Sequence, residues 1–143
     1  PGAGAAFTVD LPAVASDAED PEPPFTAEVL VVEDEDSHAA HAADVMEPLG
    51  ATVHRVRSVT EFVAWAGTGR ADLALIDFNL PDGTGLEILE KLMLRASRPR
   101  CVLLSSIRSE EMRALCLERG FDAVWPKPLS VGAAIAELWA ARD

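Results

Sequence analysis

Tyrosine is absent from this chain, and lysine occurs only twice, as Lys91 and Lys127. Arginine brings the basic total to 12 against 24 acidic residues, a formal charge of −12. Nucleic-acid contact needs clustered Lys and Arg, so a nucleic-acid partner is not expected. Cysteine is scarce as well. Cys101 sits in a strand-like run and Cys116 in a helix-like one, far apart and without metal-ligand spacing. They read as two buried free thiols in a reducing compartment, the cytoplasm, rather than as a disulfide or redox pair. No apolar run approaches the ~20 residues needed to cross a bilayer, and none follows a basic start as a signal peptide would. Direct membrane contact by this segment is therefore not expected. What is present is 143 residues, 49 % hydrophobic, with three Trp and five Phe. That suits a soluble protein with one compact domain and little left for a second.

Composition divides the chain near residue 27. Residues 1–27 hold five acids (Asp10, Asp17, Glu19, Asp20, Glu22) and no base, so they supply −5 of the charge and leave −7 for the rest. The stretch from Ser16 to Pro24, SDAEDPEPP, is acidic and proline-rich with nothing to bury, and residues 13–27 read as a linker. From Glu28 onward short apolar runs alternate with amphipathic stretches.

Strands are predicted near 28–33, 51–56, 72–77, 100–105 and 121–125. Runs such as VLVV and LALI suit strands buried on both faces, as in a parallel sheet. Helices fall between them. One runs from Asp36 to Leu49 and stops at Gly50. A second is capped by Ser58 or Thr60 and ends at Ala66. A third follows Gly85, with Leu86, Leu89, Leu92 and Met93 at helical spacing. Ser109 caps a fourth carrying Met112, Leu115 and Cys116 on one face. Ser130 caps the last, with Val131, Ala134, Ile135 and Leu138 inward. Strict alternation of five strand–helix units implies a doubly wound α/β sandwich on a five-stranded parallel sheet.

In that architecture the ligand site lies at the carboxyl ends of the strands. Four of the runs deliver a polar group there. Glu33 and Asp34 end the first, Asp77 the third and Ser105 the fourth, and the fifth leads into Lys127. Three carboxylates, a hydroxyl and a lysine make chemical sense as a divalent-cation pocket around an aspartate that accepts a phosphoryl group.

These residues resemble the receiver domain of two-component response regulators, over residues 28–143. The acidic pair is Glu33 and Asp34. Asp77, Pro81 and Gly85 fit the acceptor aspartate with its proline four residues on and glycine eight on. Ser105 matches the Ser/Thr of the fourth strand, and Lys127-Pro128 the Lys-Pro of the fifth. Five elements in the right order are far more specific than any one of them. The resemblance implies a flavodoxin-like receiver sandwich, phosphorylated on Asp77 with Mg²⁺ as cofactor. It implies that Asp34 and Asp77 ligate the metal, that the backbone carbonyl of Asn79 contributes, and that Glu33 acts through water. It gives Ser105 and Lys127 the phosphoryl oxygens and Pro128 a cis peptide bond. The donor it implies is the phosphohistidine domain of a histidine kinase, in the same parent chain or a dimer partner, with a histidine phosphotransfer protein as a further partner. One departure stands out: the family's switch aromatic, three residues before the lysine, is Val124 here, and neighbouring Trp125 should face the other side of the sheet.

Taken singly, each residue has a plainer reading. Acids before a helix usually serve its first turn, Asp82-Gly83 is simply a turn, Ser105 a strand-end hydroxyl and Lys127 a surface lysine. None of these readings accounts for their gathering at one end of a sheet. His38 and His41 read as an ordinary solvated helix face, and Trp65 and Trp139 as packing residues.

The first twelve residues, PGAGAAFTVDLP, resemble the end of the ATP-binding domain of histidine kinases, through Gly2, Gly4, Phe7, Leu11 and Pro12. With no initiator methionine, the chain reads as a receiver cut from a bacterial hybrid sensor kinase. The alternatives are a stand-alone response regulator and a pseudo-receiver that binds a protein or nucleotide without phosphorylation. An aspartyl-nucleophile phosphatase is disfavoured because Asn79 stands where its second Asp would be.

Overall fold

Alternate residues of a strand face opposite ways, and here both directions are apolar, so each strand feeds two cores. The computed structural model describes residues 26–106 and 109–142. The kinase-like segment 1–12 and the linker as far as residue 25 lie outside the described residues. Five parallel strands form the sheet: β1 (Glu28–Val32), β2 (Thr52–Val56), β3 (Leu73–Asp77), β4 (Arg100–Ser105) and β5 (Ala123–Pro126). Their order is β2-β1-β3-β4-β5. The chain steps one way from β1 to β2 and the other way to β3, which opens a crevice beyond the carboxyl ends of β1 and β3.

Five helices cover the sheet: α1 (Asp36–Met46), α2 (Val59–Ala66), α3 (Gly85–Met93), α4 (Glu110–Arg119) and α5 (Val131–Arg142). Val29, Val31, Leu73, Leu75, Val102 and Leu104 bury one face against Ala39, Ala42 and Met46 of α1 and Ala134 and Leu138 of α5. Leu30, Val32, Ala74, Ile76 and Leu103 bury the other against Phe62 of α2, Ile88, Leu89 and Leu92 of α3 and Cys116 of α4. This is the doubly wound sandwich expected. Both cysteines are free and buried, and burial pushes the Cys101 thiol up to about 11.

Helix ends follow the side chains. The Ser58 hydroxyl accepts from Glu61 N at 3.0 Å, so Ser58 rather than Thr60 is the cap. Ser109 and Ser130 accept from Met112 N and Ala133 N at 3.3 and 3.1 Å. Thr84 and Glu87 form a reciprocal capping box at α3. Gly50 and Gly120 close their helices at φ of 109° and 125°, where a Cβ would be strained.

Several details differ from the sequence expectations. α1 ends at Met46 and tightens into a 3₁₀ turn over Glu47–Leu49, because Pro48 has no N–H to continue the α ladder. β5 starts at Ala123 because Phe121 N still closes α4 on Cys116 O. Val131, Met93 and Leu115 are exposed, whereas Ile88 and Ala133 take inward positions. Trp139 is 53 % exposed rather than packed inside.

Candidate phosphoacceptor and metal site

β1 and β3 lie side by side, so the acids that follow one and end the other meet at the crevice. Glu33 follows β1 and is buried, Asp34 is exposed, and Asp77 is the half-buried last residue of β3. One oxygen from each of Glu33, Asp34 and Asp77 lies within 4.8 Å of the others. Three like charges so close repel unless a cation sits among them. Lys127, just past β5, is one such cation: its Nζ is 2.8 Å from Glu33 Oε1 and 2.8 Å from Asp77 Oδ1. Burial disfavours its charged form, but the hydrogen bonds and charges of Asp77 and Glu33 outweigh that and raise its pKa above the ordinary lysine value. Hard carboxylate oxygens in this arrangement fit Mg²⁺.

The two oxygens of Glu33 are both engaged, one by Lys127 and the other by Glu35 N at 3.1 Å. Lys127 is in turn tied to β4, because its backbone N donates to Ser105 O at 3.1 Å. Ser105 is buried and lies one residue beyond Leu104, the cross-strand partner of Asp77. The Lys127–Pro128 peptide is cis. Asn79 lies two residues past Asp77 on one arm of a two-stranded hairpin, Asn79–Leu80 with Gly83–Thr84. Behind it, the first turn of α3 presses on β3: a Cβ on Gly85 would lie 2.5 Å from Asp77 O. Only glycine permits that approach.

Val124 and Trp125 face opposite cores, as alternation required. Val124 borders a cavity of about 370 Å³ that Ser105, Met112 and Arg113 also line. The Trp125 indole instead donates to Glu137 Oε2 at 2.6 Å, under α5.

Sequence reasoning missed the contacts of two histidines beside the site and of Asp82 at the start of α2. His38 Nδ1 is 3.1 Å from Glu35 Oε1 and 3.8 Å from Glu33 Oε1. The His41 ring N–H donates to Leu129 O at 2.7 Å, just beyond the cis peptide. Neither histidine is merely a solvated helix face. The Glu35–His38 spacing of three was readable as an i,i+3 pair, whereas nothing signals His41 and Leu129, 88 residues apart. Asp82 is more than a turn residue. Its carboxylate accepts from Val59 N, Thr60 N and the Thr60 hydroxyl, capping α2 from 23 residues away. The Thr60 hydroxyl and these backbone N–H groups hold its pKa below the ordinary aspartate value.

A family model for the response regulator receiver domain matches residues 29–138. The chain belongs to that family. It is 33 % identical over 156 residues to the aerobic respiration control sensor protein ArcB of Escherichia coli (strain K12), covering 99 % of this chain and 20 % of ArcB. It is 32 % identical over 111 residues to the KDP operon transcriptional regulatory protein KdpE of the same strain, covering 77 % and 48 %. The chain thus spans about a fifth of the length of ArcB and about half of that of KdpE. A solved receiver domain (CheY-like) from Methylobacillus flagellatus superposes with a TM-score of 0.68 at 26 % identity, covering 80 % of this chain and 97 % of that one.

This receiver domain is therefore a module of two-component signalling. Phosphorylation on aspartate is typical of its family, as are an acidic Mg²⁺ pocket and histidine-kinase or phosphotransfer partners. Among the described residues no helix is long and apolar enough to cross a membrane.

Proposed function

We propose that this receiver accepts a phosphoryl group from phosphohistidine onto Asp77. The observation that carries the reading is the Lys127 ammonium held 2.8 Å from Asp77 and 2.8 Å from Glu33, with Asp34 beside them. Asp77 Oδ attacks phosphorus, the P–N bond breaks, and the histidine nitrogen keeps the electron pair. Asp34, Asp77 and the Asn79 carbonyl would hold Mg²⁺, and Glu33, whose oxygens are on Lys127 and Glu35 N, would assist through water. Bound there, Mg²⁺ supplies charge neutralisation for the carboxylates and the phosphoryl oxygens. Lys127 sheds part of its contact with the Asp77 carboxylate and turns its N–H donors to the incoming group. The Ser105 hydroxyl donates to a second phosphoryl oxygen. Positioning and charge are most of what phosphoryl transfer requires.

The parent chain is a cytoplasmic-facing hybrid histidine kinase, with residues 1–12 the end of its ATPase domain and 13–27 a linker. What favours this over a stand-alone regulator is the reach of the likeness. ArcB aligns over 99 % of the chain, KdpE over only 77 %. Incubation with acetyl phosphate and Mg²⁺, read by intact mass, tests the acceptor. The wild type should gain one phosphoryl group and Asp77→Asn none, and EDTA should stop the gain. Equal labelling of Asp77→Asn would place the acceptor elsewhere.

A further inference from the structure

The loop that carries Glu33 and Asp34 is bracketed from the edge of the sheet. Arg55, on β2, sends Nε and Nη2 to the backbone carbonyl of Glu33 at 3.1 and 3.0 Å. Its Nη1 donates to Asp36 Oδ1 at 2.7 Å. One guanidinium therefore spans Glu33 and Asp36, the two ends of the segment that carries Asp34. Its side chain is 24 % exposed, so solvent competes weakly for the two bonds to Glu33 O, whereas the Asp36 carboxylate is 74 % exposed. Glu33 N donates to Val56 O at 3.0 Å, which fixes the preceding peptide from the neighbouring strand position.

From this geometry we infer that Arg55 is a positioning residue for metal binding, holding the Glu33–Asp36 loop so that the exposed Asp34 carboxylate meets Asp77. The inference rests on the receiver reading of the site. Asp34 has an extended backbone neighbour in Glu35, at φ −90° and ψ 119°, and α1 begins only at Asp36. The loop is thus not held by helix hydrogen bonds at the position where a ligand must be precise. A guanidinium near an acidic pocket could instead repel a cation, but Asp36 answers that charge. Its carboxylate also forms an ion pair with Arg57 Nη2 at 3.1 Å, and the hydrogen bond from Arg55, with the charges of Arg57 and Arg55, holds its pKa below the ordinary aspartate value. The fork geometry of arginine is essential, because three bonds to two acceptors leave no role for a point charge. Lysine at this position keeps the charge and loses the bracket.

The test uses the full 143-residue chain, with Mg²⁺ affinity measured by calorimetry and amide exchange followed at Asp34 and Glu35. Loss of a partner that orients a metal ligand weakens affinity by about 10-fold or more. Arg55→Lys and Arg55→Met should both show that weakening, with faster exchange at the two amides. Saturating Mg²⁺ should then restore the rate of Asp77 phosphorylation by acetyl phosphate. Mg²⁺ affinity within about twofold of wild type in both variants, beside a wild type that binds Mg²⁺ and is phosphorylated, overturns the role of Arg55 alone. So does full recovery by Arg55→Lys, which would make the effect one of charge. A phosphorylation defect that persists at saturating Mg²⁺ also overturns it. A wild type that takes neither Mg²⁺ nor a phosphoryl group overturns the receiver reading and this inference with it.

Discussion

Replacing Lys127 by methionine keeps the length of the side chain and deletes its charge. The ammonium links Glu33 and Asp77, whose side chains are 6 % and 13 % exposed, and is itself 12 % exposed. Breaking a fully buried ion pair costs about 3–5 kcal/mol, and an exposed one about 0–1. These groups are mostly buried but open to solvent on the Asp34 side, so a loss of about 2–3 kcal/mol is expected in EDTA. For a domain of this size that lowers Tm by roughly 10 °C. Mg²⁺ should return more stability to Lys127→Met than to the wild type. In the variant the carboxylates have no other cation, whereas in the wild type Asp77 is already paired. A ligand at 100 times its Kd contributes about 2.7 kcal/mol, enough to show in thermal unfolding followed by circular dichroism. The pH dependence has a definite sign. The folded pKa of Lys127 lies above 10.5, so its contribution is complete below that value and lost as pH rises through the folded pKa. The gap between wild type and variant should hold across neutral pH and close only in strong alkali. Equal Tm values in EDTA, or an equal gain from Mg²⁺, would refute the idea that Lys127 serves as the site's internal counter-ion.

Three further outcomes are expected. Asp34→Asn should weaken Mg²⁺ binding more than Glu33→Gln, because both Glu33 oxygens are held by Lys127 and Glu35 N, and equal calorimetric titrations would contradict this. Gly85→Ala should destabilise the domain by about 1–3 kcal/mol in chemical denaturation, since its Cβ would meet the Asp77 carbonyl at 2.5 Å and neither backbone can give freely. Deleting residues 1–24 should leave Tm nearly unchanged, because the stretch Ser16–Pro24 is acidic and proline-rich with nothing to bury; a drop equivalent to about 1 kcal/mol, several degrees, would show that the segment packs on the receiver.

The sheet was legible because VLVV, LALI and CVLL are too uniformly apolar for any surface strand, and the Gly and Ser punctuation between them marks helix ends. The charged members of the site were legible for a related reason: Glu33, Asp34, Asp77 and Lys127 each end an apolar run, so one topology gathers them. Contacts between distant residues carry no such signal. Arg55 on an edge strand looks like any solvent-facing arginine. Asp82 in an Asp-Gly pair looks like turn chemistry, yet it caps a helix that begins 23 residues earlier. Exposure within a helix was also poorly legible, because spacing alone does not say how wide the buried stripe is. Met93 and Val131 continue their apolar stripes in sequence but run past the edge of the core they would cover.

Glu137 shows the opposite case, a charge on a face that must be buried. It is 3 % exposed and sits between Ala134 and Leu138 on the inner side of α5. A buried carboxylate is tolerable only when hydrogen bonds replace water. Arg100, on the first residue of β4, donates to one of its oxygens, and the Trp125 indole donates to the other. The Arg100 guanidinium gains from this bond, which outweighs its partial burial and raises its pKa. The pairing also explains how β5 accommodates Val124 in place of an aromatic. The large ring of this strand is Trp125, on the α5 side, where its N–H is fixed by Glu137. The α4 side keeps only Val124, bordering the 370 Å³ cavity by Ser105. A ring turning inward beside Ser105 is therefore not available to this receiver. The Trp125–Glu137 bond ties β5 to α5 two residues before Lys127, through side chains that the sequence separates by twelve positions.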